Sequence, residues 1–373
     1  MNIGIDVRIL ERPLSGIGRF LQWYLWGFKQ FVPQHNFFLF SNTELMHDTY
    51  GFPLICKGGP LFQKKVMAPL WMNTVLPSLL KQHNIDVFFS PNHAMSFKKL
   101  PDTKNVAMIH DLFQKIRKDF HPASYRYYLN FIFPFIFRNS DAIIAISEHT
   151  KQDIITYYKI PPEKIDVVYH SIPDKFRPRV LTPEERSLVK QATGREKDFS
   201  LFVGVIEPRK NITMLISVAK RLREAGFDHP IVVAGKPGPN GAPLKEAMDR
   251  EPNIIHTDHI NDTILPLLYN AATTLLFPTW YEGFGLPALE AMQSGLPVIT
   301  SDSSSLPEVV DNAGILVPPH DAEGFTRAVM KLIDSESERA RLAQLGMKRA
   351  EMFTLEKSMN SMISIFEKAA GKL

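Results

Sequence analysis

Short runs of nearly unbroken Val, Ile, Leu and Phe, separated by amphipathic stretches, recur along the whole chain and constrain its fold more than any other feature. In the first half they fall at 2–7, 37–42, 86–90, 106–110, 141–147 and 165–170, and in the second at 200–206, 231–235, 253–258, 274–277, 297–301 and 314–317. A strand with one wet face alternates apolar and polar residues. Runs that are apolar throughout belong to parallel strands covered on both faces, with the stretches between them as crossover helices. At 373 residues the chain is too long for one such unit, since a domain takes roughly 100–200 residues. The alternation breaks at 173–197, where Asp174-Lys175-Phe176-Arg177-Pro178-Arg179 opens a polar segment. Two doubly wound, Rossmann-like α/β domains are therefore expected, an N-terminal one at 1–178 and a C-terminal one at 179–354. A last helix at 355–373 has no strand after it and can cross back to the first domain. Ligands of such domains bind at the carboxyl ends of the strands, which puts the expected site in a crevice between the two.

Composition removes whole classes of function. A chain that is 45% hydrophobic and 22% charged is neither disordered nor collagenous. Its single cysteine, Cys56, makes no intrachain disulfide and no Cys-rich metal site, which fits a reducing, cytoplasmic compartment. Asp6 and Arg8 interrupt the N-terminus where the apolar core of a secretory signal would run. No stretch reaches the roughly 18 apolar residues of a membrane span, and the nearest, 66–80, contains Pro69, Asn73, Thr74, Pro77 and Ser78. Residues 1–178 hold 21 Lys/Arg against 14 Asp/Glu, whereas 179–373 hold 22 against 25, so an anionic partner is expected for the first half. No nucleic-acid motif is expected to accompany it.

The most specific segment runs from Phe277 to Ser301 and contains Glu282-Gly283-Phe284-Gly285-Leu286-Pro287-Ala288-Leu289-Glu290-Ala291-Met292. Its pattern is strand, glycine loop, then a helix started by Pro287 and stopped at Gly295. Gly283 and Gly285 allow close backbone approach, and the helix aims unpaired N–H groups and positive partial charge at the strand ends, which suits a phosphate. Glu290 is expected in the first helical turn and Glu282 in the loop, so two carboxylates can grip the two diols of a nucleotide sugar. From the residues alone, Glu290 can equally serve the helix dipole and Glu282 can be a solvated loop residue. Arg209 and Lys210, in Gly204-Val205-Ile206-Glu207-Pro208-Arg209-Lys210-Asn211, follow the first strand of the second domain. Together they could neutralise a diphosphate without a metal, or form no more than a basic turn.

The Glu282–Met292 segment resembles the retaining GT-B-fold glycosyltransferases of family 4, whose signature is two glutamates separated by seven residues in this context. Gly295-Leu296-Pro297-Val298-Ile299 and Ser304-Ser305-Leu306-Pro307-Glu308-Val309 are similar to that family too. The resemblance implies a hexose contact for Glu282, a ribose contact for Glu290, and a diphosphate grip for Arg209 and Lys210. Gly283, Phe284, Gly285 and Leu286 would complete the donor seat. In the first domain, Gly16-Ile17-Gly18 lacks the third glycine of a dinucleotide fingerprint. The resemblance implies instead that this loop closes over the donor diphosphate, Gly16 giving clearance and Gly18 lying beside it. His110, at the end of the strand 106–110, would touch the transferred sugar. Tyr169-His170-Ser171-Ile172 departs from the family, many of whose members have Asn-Gly there.

The implied activity is transfer of a hexose, with retained configuration, from a nucleoside-diphosphate sugar to a glycan or lipid-linked glycan in bacterial surface polysaccharide synthesis. Ser15-Gly16-Ile17-Gly18-Arg19, Pro69-Leu70-Trp71 and His110-Asp111-Leu112 look most like O-antigen type mannosyltransferases, implying GDP-mannose ahead of a UDP-hexose. No cofactor and no metal are expected, because no His-x-x-x-His, Cys-x-x-Cys or carboxylate triplet appears. The rivals are a GT-B sugar-nucleotide 2-epimerase, a phosphorylase, and a catalytically silent nucleotide-sugar-binding subunit. Two apolar stretches, 66–80 after Lys64 and Lys65 and 125–138 between Arg126 and Arg138, either pack a core or meet an anionic membrane surface peripherally.

Overall fold

The computed structural model describes residues 1–373 apart from 15, 60–61, 63–66, 93–101, 117–122, 259 and 373, and apart from the side chains of 123–125. By contact the chain forms two compact units. The first comprises Met1–Ile116, Pro122–Ser171 and Thr354–Leu373, and Ile172–Phe353 makes the body of the second. The change of unit after Ser171 thus leaves 172–178 with the second.

The first unit carries seven strands: β1 (Asn2–Asp6), β2 (Asn36–Ser41), β3 (Leu54–Cys56), β4 (Val87–Ser90), β5 (Lys104–Ile109), β6 (Ala142–Ala145) and β7 (Ile165–Val167). Their order is β3-β2-β1-β4-β5-β6-β7, and every pairing is parallel. All four residues of β4 and of β6 are buried, as strands covered on both faces require. β3 has no counterpart among the expected runs. It is three residues long, half exposed at the sheet edge, and preceded by Gly51 and Pro53, so no apolar run marks it.

The second unit carries β8 (Ser200–Val203), β9 (Ile231–Ala234), β10 (Ile254–His256), β11 (Thr274–Phe277), β12 (Val298–Ser301) and β13 (Gly314–Val317). They lie in the order β10-β9-β8-β11-β12-β13, again all parallel. In each sheet the order reverses beside the first strand, between β1 and β4 and between β8 and β11. The carboxyl ends of the strands at such a reversal are where ligands of these sheets bind.

Both apolar stretches of uncertain role lie in the first unit, and the structure separates them. Helices Ala68–Thr74 and Leu76–Gln82 put Trp71, Met72, Leu76, Leu79 and Leu80 into a core with Phe40 and Phe88. Lys64 and Lys65 lie outside the described residues. Helix Ala123–Asn139 is two-faced. Leu129, Ile132, Phe133, Ile136 and Phe137 enter a core with Ile109, Ile143 and Ile154, while Tyr127, Tyr128 and Phe131 stay 68%, 51% and 61% exposed. No helix among the described residues is long and apolar enough to cross a membrane.

Helix Leu355–Ala370 packs in the first unit against helix Gly16–Phe31 and strands β4 and β5. Thr354 caps it by accepting from the Lys357 N–H, and Met359, Met362 and Phe366 are fully buried on its inner face. Phe366 meets Phe89 of β4 with ring centroids 5.4 Å apart. Truncating such a ring removes its transfer free energy and leaves a cavity. Phe366→Ala should therefore destabilise the first unit by about 3–5 kcal/mol, read as a lower urea midpoint in tryptophan fluorescence. An unchanged midpoint would show that the helix is not part of that core.

Candidate active site

A buried, charged cluster of the second unit lies where the sheet order reverses. A short 3-10 turn, Pro208–Lys210, follows β8, and Asn211 ends it in the left-handed region at φ 56°. Asn adopts that region more readily than most residues because its short polar side chain bonds locally. Here the Asn211 amide donates to the carbonyls of Pro278 (2.9 Å) and Pro319 (2.7 Å), tying the turn to the segments after β11 and β13. The Arg209 carbonyl accepts from the Trp280 N–H (2.9 Å) and the Thr279 hydroxyl (3.0 Å). The two loops at the reversal therefore form one piece.

Four charged groups meet inside this piece. The Lys210 ammonium lies 2.7 Å from Glu282 Oε1 and 4.9 Å from the centre of the Phe277 ring. Arg209 Nη1 lies 3.2 Å from Glu282 Oε2 and donates to the Tyr281 carbonyl at 3.0 Å. Its other edge, Nε and Nη2, is held by Glu207 Oε1 at 3.0 and 2.8 Å. Glu282 is 7% exposed and Lys210 7%. Burial disfavours both charges. It would raise Glu282, but Lys210, Arg209 and the Thr279 hydroxyl overcome it and hold the carboxyl below its ordinary value. Burial takes Lys210 below its ordinary value, with Glu282 opposing and Arg209 assisting the fall.

A third loop, after β12, fixes Glu282 from behind. Ser304 accepts from the Glu282 N–H at 2.9 Å, Ser305 donates to the Glu282 carbonyl at 2.9 Å, and Ser303 donates to the Trp280 carbonyl at 3.2 Å. Gly285 has φ 103°, and a Cβ there would stand 2.7 Å from Leu306 Cδ2, so the turn into helix Leu286–Gln293 needs glycine.

The expected donor residues thus divide. Arg209, Lys210 and Glu282 are brought together, and Gly283, Gly285 and Leu286 form the turn and helix start beside them. The Phe284 ring is buried against Phe353, centroids 5.6 Å apart, so its side chain belongs to the core. Glu290 was expected in the first helical turn. No acid stands there, and Glu290 lies past it because the helix opens at Leu286. Its Oε2 accepts a 2.6 Å hydrogen bond from the buried Tyr269 hydroxyl. Glu207, Asn211, Tyr269 and the serines 303–305 are contributors the sequence did not point out. Of these, Glu207 carried a legible signal, an acid two residues from Arg209.

Gly16, Gly18 and His110 belong to the first unit. Gly16 opens the helix Gly16–Phe31 and Gly18 sits buried in its first turn, so the expected glycine loop is helical from Gly16 onward. A Cβ on Gly16 would meet no atom within 4 Å. His110 is buried and its Nε2 donates to the Pro91 carbonyl at 2.8 Å. Phe20 packs against both His110 and His170, at 5.3 and 4.3 Å from their rings, which are themselves 5.5 Å apart. His170 Nδ1 is 3.4 Å from the Tyr24 hydroxyl. Burial pushes His110 below its ordinary value against the Pro91 carbonyl and Asp111, and pushes His170 well below, with His110 adding to the fall. Among the described residues no group of His, Cys, Asp and Glu could hold a metal ion.

Comparison with known proteins follows this geometry. The family model described as "Glycosyl transferases group 1" matches residues 184–349, and the one described as "Glycosyltransferase Family 4" matches 35–176. The chain is similar to O-antigen chain mannosyltransferase B of Escherichia coli, 27% identical over 293 residues that cover 77% of this chain and 76% of that protein. It is also similar to the serotype-specific mannosyltransferase WbdA of Escherichia coli, 31% identical over 243 residues, 63% of this chain but only 30% of WbdA. In fold it is similar to Anabaena Alr3699/HepE solved in complex with UDP and glucose, with TM-score 0.76 and 16% identity over 99% of this chain and 100% of that one.

Two neutral buried histidines make the first unit pH-sensitive. The unfolded chain takes up protons near pH 6.5, whereas the folded unit resists until well below that. Their contribution is complete above about pH 6.5 and is lost as pH falls through the folded values. The midpoint of the first unit should drop between about pH 7 and 5, by at most about 1.4 kcal/mol per pH unit for each histidine. His170→Phe should flatten that dependence in urea titrations at several pH values. An equal slope in that variant would remove His170 as its source.

Proposed function

We propose that this chain, which belongs to the group 1 and family 4 glycosyltransferases of GT-B fold, transfers a mannosyl group from GDP-mannose to a hydroxyl of a growing glycan, with the anomeric configuration retained. The observation that carries the reading is the buried Arg209–Lys210–Glu282 cluster at the sheet reversal, two cations held beside one carboxylate. In the proposed reaction the donor diphosphate takes the place of Glu282 as their counter-ion. The bond from the sugar C1 to the phosphate oxygen breaks, C1 bonds to the acceptor oxygen on the same face, and the acceptor proton passes to the leaving phosphate. Arg209 and Lys210 stabilise the charge that develops on that phosphate. Glu282, released from Lys210, accepts hydroxyls of the hexose, and Glu290 accepts those of the ribose. Gly283, Gly285 and Leu286 provide backbone at the phosphate, and the first unit would contribute Gly16 and Gly18 to donor binding and His110 as a neutral contact to the transferred sugar.

The mannosyltransferases among the relatives support the sugar, and a UDP-hexose is the second donor to test. Lys210→Ala should lower transfer by about two to four orders of magnitude while leaving the fold intact, and EDTA should change little, since the cations do a metal's work. Full activity in that variant, or strict dependence on Mg²⁺ or Mn²⁺, contradicts the scheme. Turnover of the nucleotide sugar without acceptor would favour an epimerase, phosphate dependence a phosphorylase, and donor binding without turnover a silent subunit.

A lipid-linked acceptor at a membrane surface is the second part of the reading. It is supported by helix Ala123–Asn139, which contains Arg126 and Arg138 and no acid, and exposes Tyr127, Tyr128 and Phe131. Aromatic side chains beside arginine suit the interface of an anionic bilayer. Co-sedimentation with phosphatidylglycerol vesicles should exceed that with neutral ones at low salt. The pair Phe131→Ser, Arg138→Glu should cut it by about tenfold or more, on the order of 1 kcal/mol per basic residue plus the lost apolar contact. Equal binding to both vesicle types by the unaltered protein would end this part of the proposal.

A further inference from the structure

Glu290 lies on a helix after β11, and the side chain that grips it comes from before that strand. Helix Leu265–Ala271 places Tyr269 in the interior, 1% exposed, with its ring edge-on to Phe176 at 5.6 Å. The neighbouring Asn270 ties the same helix end to the segment before it, accepting from the Arg179 N–H at 2.9 Å and donating to the Arg177 carbonyl at 3.2 Å. The phenol therefore stands on a fixed base. Its hydroxyl donates to Glu290 Oε2 at 2.6 Å, the short length of a hydrogen bond to an ionised acceptor. Burial, then the charge and hydrogen bond of Glu290, push the phenol well above its ordinary value, so it is a hydrogen-bond donor at neutral pH.

We infer that Tyr269 is a positioning residue for nucleotide recognition, holding the Glu290 carboxylate in the one orientation that accepts the donor's ribose hydroxyls. The inference rests on the ribose reading of Glu290 given above. A glutamate carboxylate turns about several bonds, and an unheld one must be ordered at each binding event. Anchoring one oxygen to a buried phenol sets the carboxylate plane before the ligand arrives, in the way that a supporting shell fixes a binding group. A tyrosine present only for packing would contribute its ring and not its hydroxyl. Removing that hydroxyl should then act on ribose recognition and not on the diphosphate grip.

The test uses the full chain and calorimetric affinities for GDP and UDP, each against its 2′-deoxy form, with inorganic pyrophosphate as the probe of the Arg209–Lys210 cluster. The unaltered protein should prefer the ribonucleotide of its better base by about tenfold, the weight of a hydrogen bond to a charged group. Tyr269→Phe should lower ribonucleotide affinity about three- to tenfold, leave the 2′-deoxy form and pyrophosphate nearly unchanged, and so collapse the preference. Glu290→Gln with Tyr269→Phe should lose no more than Glu290→Gln alone. Glu290→Asp leaves Tyr269 and its packing in place while withdrawing the carboxylate, and should lose the preference too. A preference that survives intact in Tyr269→Phe, with pyrophosphate still bound, overturns the positioning role and leaves the ribose reading standing. Absence of any ribose preference in the unaltered protein, or its survival in Glu290→Gln, overturns the ribose reading itself, and the role of Tyr269 falls with it.

Discussion

The second unit depends on one buried carboxylate. Glu282 pairs with both Lys210 and Arg209, and because Arg209 is also held by Glu207, loss of Glu282 would leave the buried Lys210 ammonium uncompensated. Breaking such a cluster by removing one partner costs far more than its net contribution, because an uncompensated charge stays behind. The carboxylate is therefore both the structural counter-ion of the resting site and, in the proposed reaction, a ligand to the sugar. A site with this construction is charged and ordered before the donor arrives. In the proposed reaction the entering diphosphate would exchange one set of ion pairs for another and would not have to assemble cations from solvent, which is the condition for strong electrostatic stabilisation.

The scaffold makes that arrangement rigid through its backbone. Reversal of the sheet order between β8 and β11 brings the two following loops side by side, and β12 adds a third. Lacing among them runs through main-chain atoms at nearly every step: the Arg209 carbonyl, the Glu282 N–H and carbonyl, and the carbonyls of Pro278, Trp280 and Tyr281. Hydrogen bonds that satisfy buried backbone groups are obligatory, so they are hard to give up and hold the charged side chains at set distances. Arg209 shows the result. Glu207 takes one edge of its guanidinium and Tyr281 with Glu282 the other, and a planar fork fixed on both edges has little freedom left to lose.

What the sequence disclosed, and what it withheld, follows from the range of the interactions. Parallel strands buried on both faces leave an unbroken apolar run, so β1, β8 and β11 were visible; β3, three residues at an edge, leaves none. Glu282 and the Arg209-Lys210 pair stood out because they follow strand ends beside Gly283 and Pro208, which mark the turns. Tyr269 and Asn211 act on partners tens of residues away, and no local pattern announces a phenol that reaches a carboxylate or an amide that reaches two carbonyls. Glu290 was placed one residue too early in the helix, and so inside its first turn, because Pro287, a good helix starter, was taken as the first residue when Leu286 is. Helix Ala123–Asn139 was ambiguous for a different reason. Its aromatic residues fill both faces, so periodicity does not separate the core residues Phe133 and Phe137 from the exposed Tyr127 and Phe131.

The two units bury polar groups in opposite ways, and the difference bears on the chemistry. The second keeps charges and pairs them. The first keeps His110 and His170 neutral among Phe20 and Tyr24, because burial outweighs what the Pro91 carbonyl and Asp111 offer an imidazolium at His110, and His110 itself disfavours one at His170. A histidine kept below its ordinary value is a poor proton donor at neutral pH and a good neutral hydrogen-bonding group. His110, with Nε2 committed to the Pro91 carbonyl, is thus suited to fixing a sugar hydroxyl and unsuited to general acid catalysis. In the proposed reaction the proton must then go elsewhere, and the departing phosphate is the natural base. Its basicity rises as the bond to C1 breaks, while Arg209 and Lys210 limit that rise. The same pair of cations therefore sets both how easily the leaving group departs and how well it accepts the acceptor's proton.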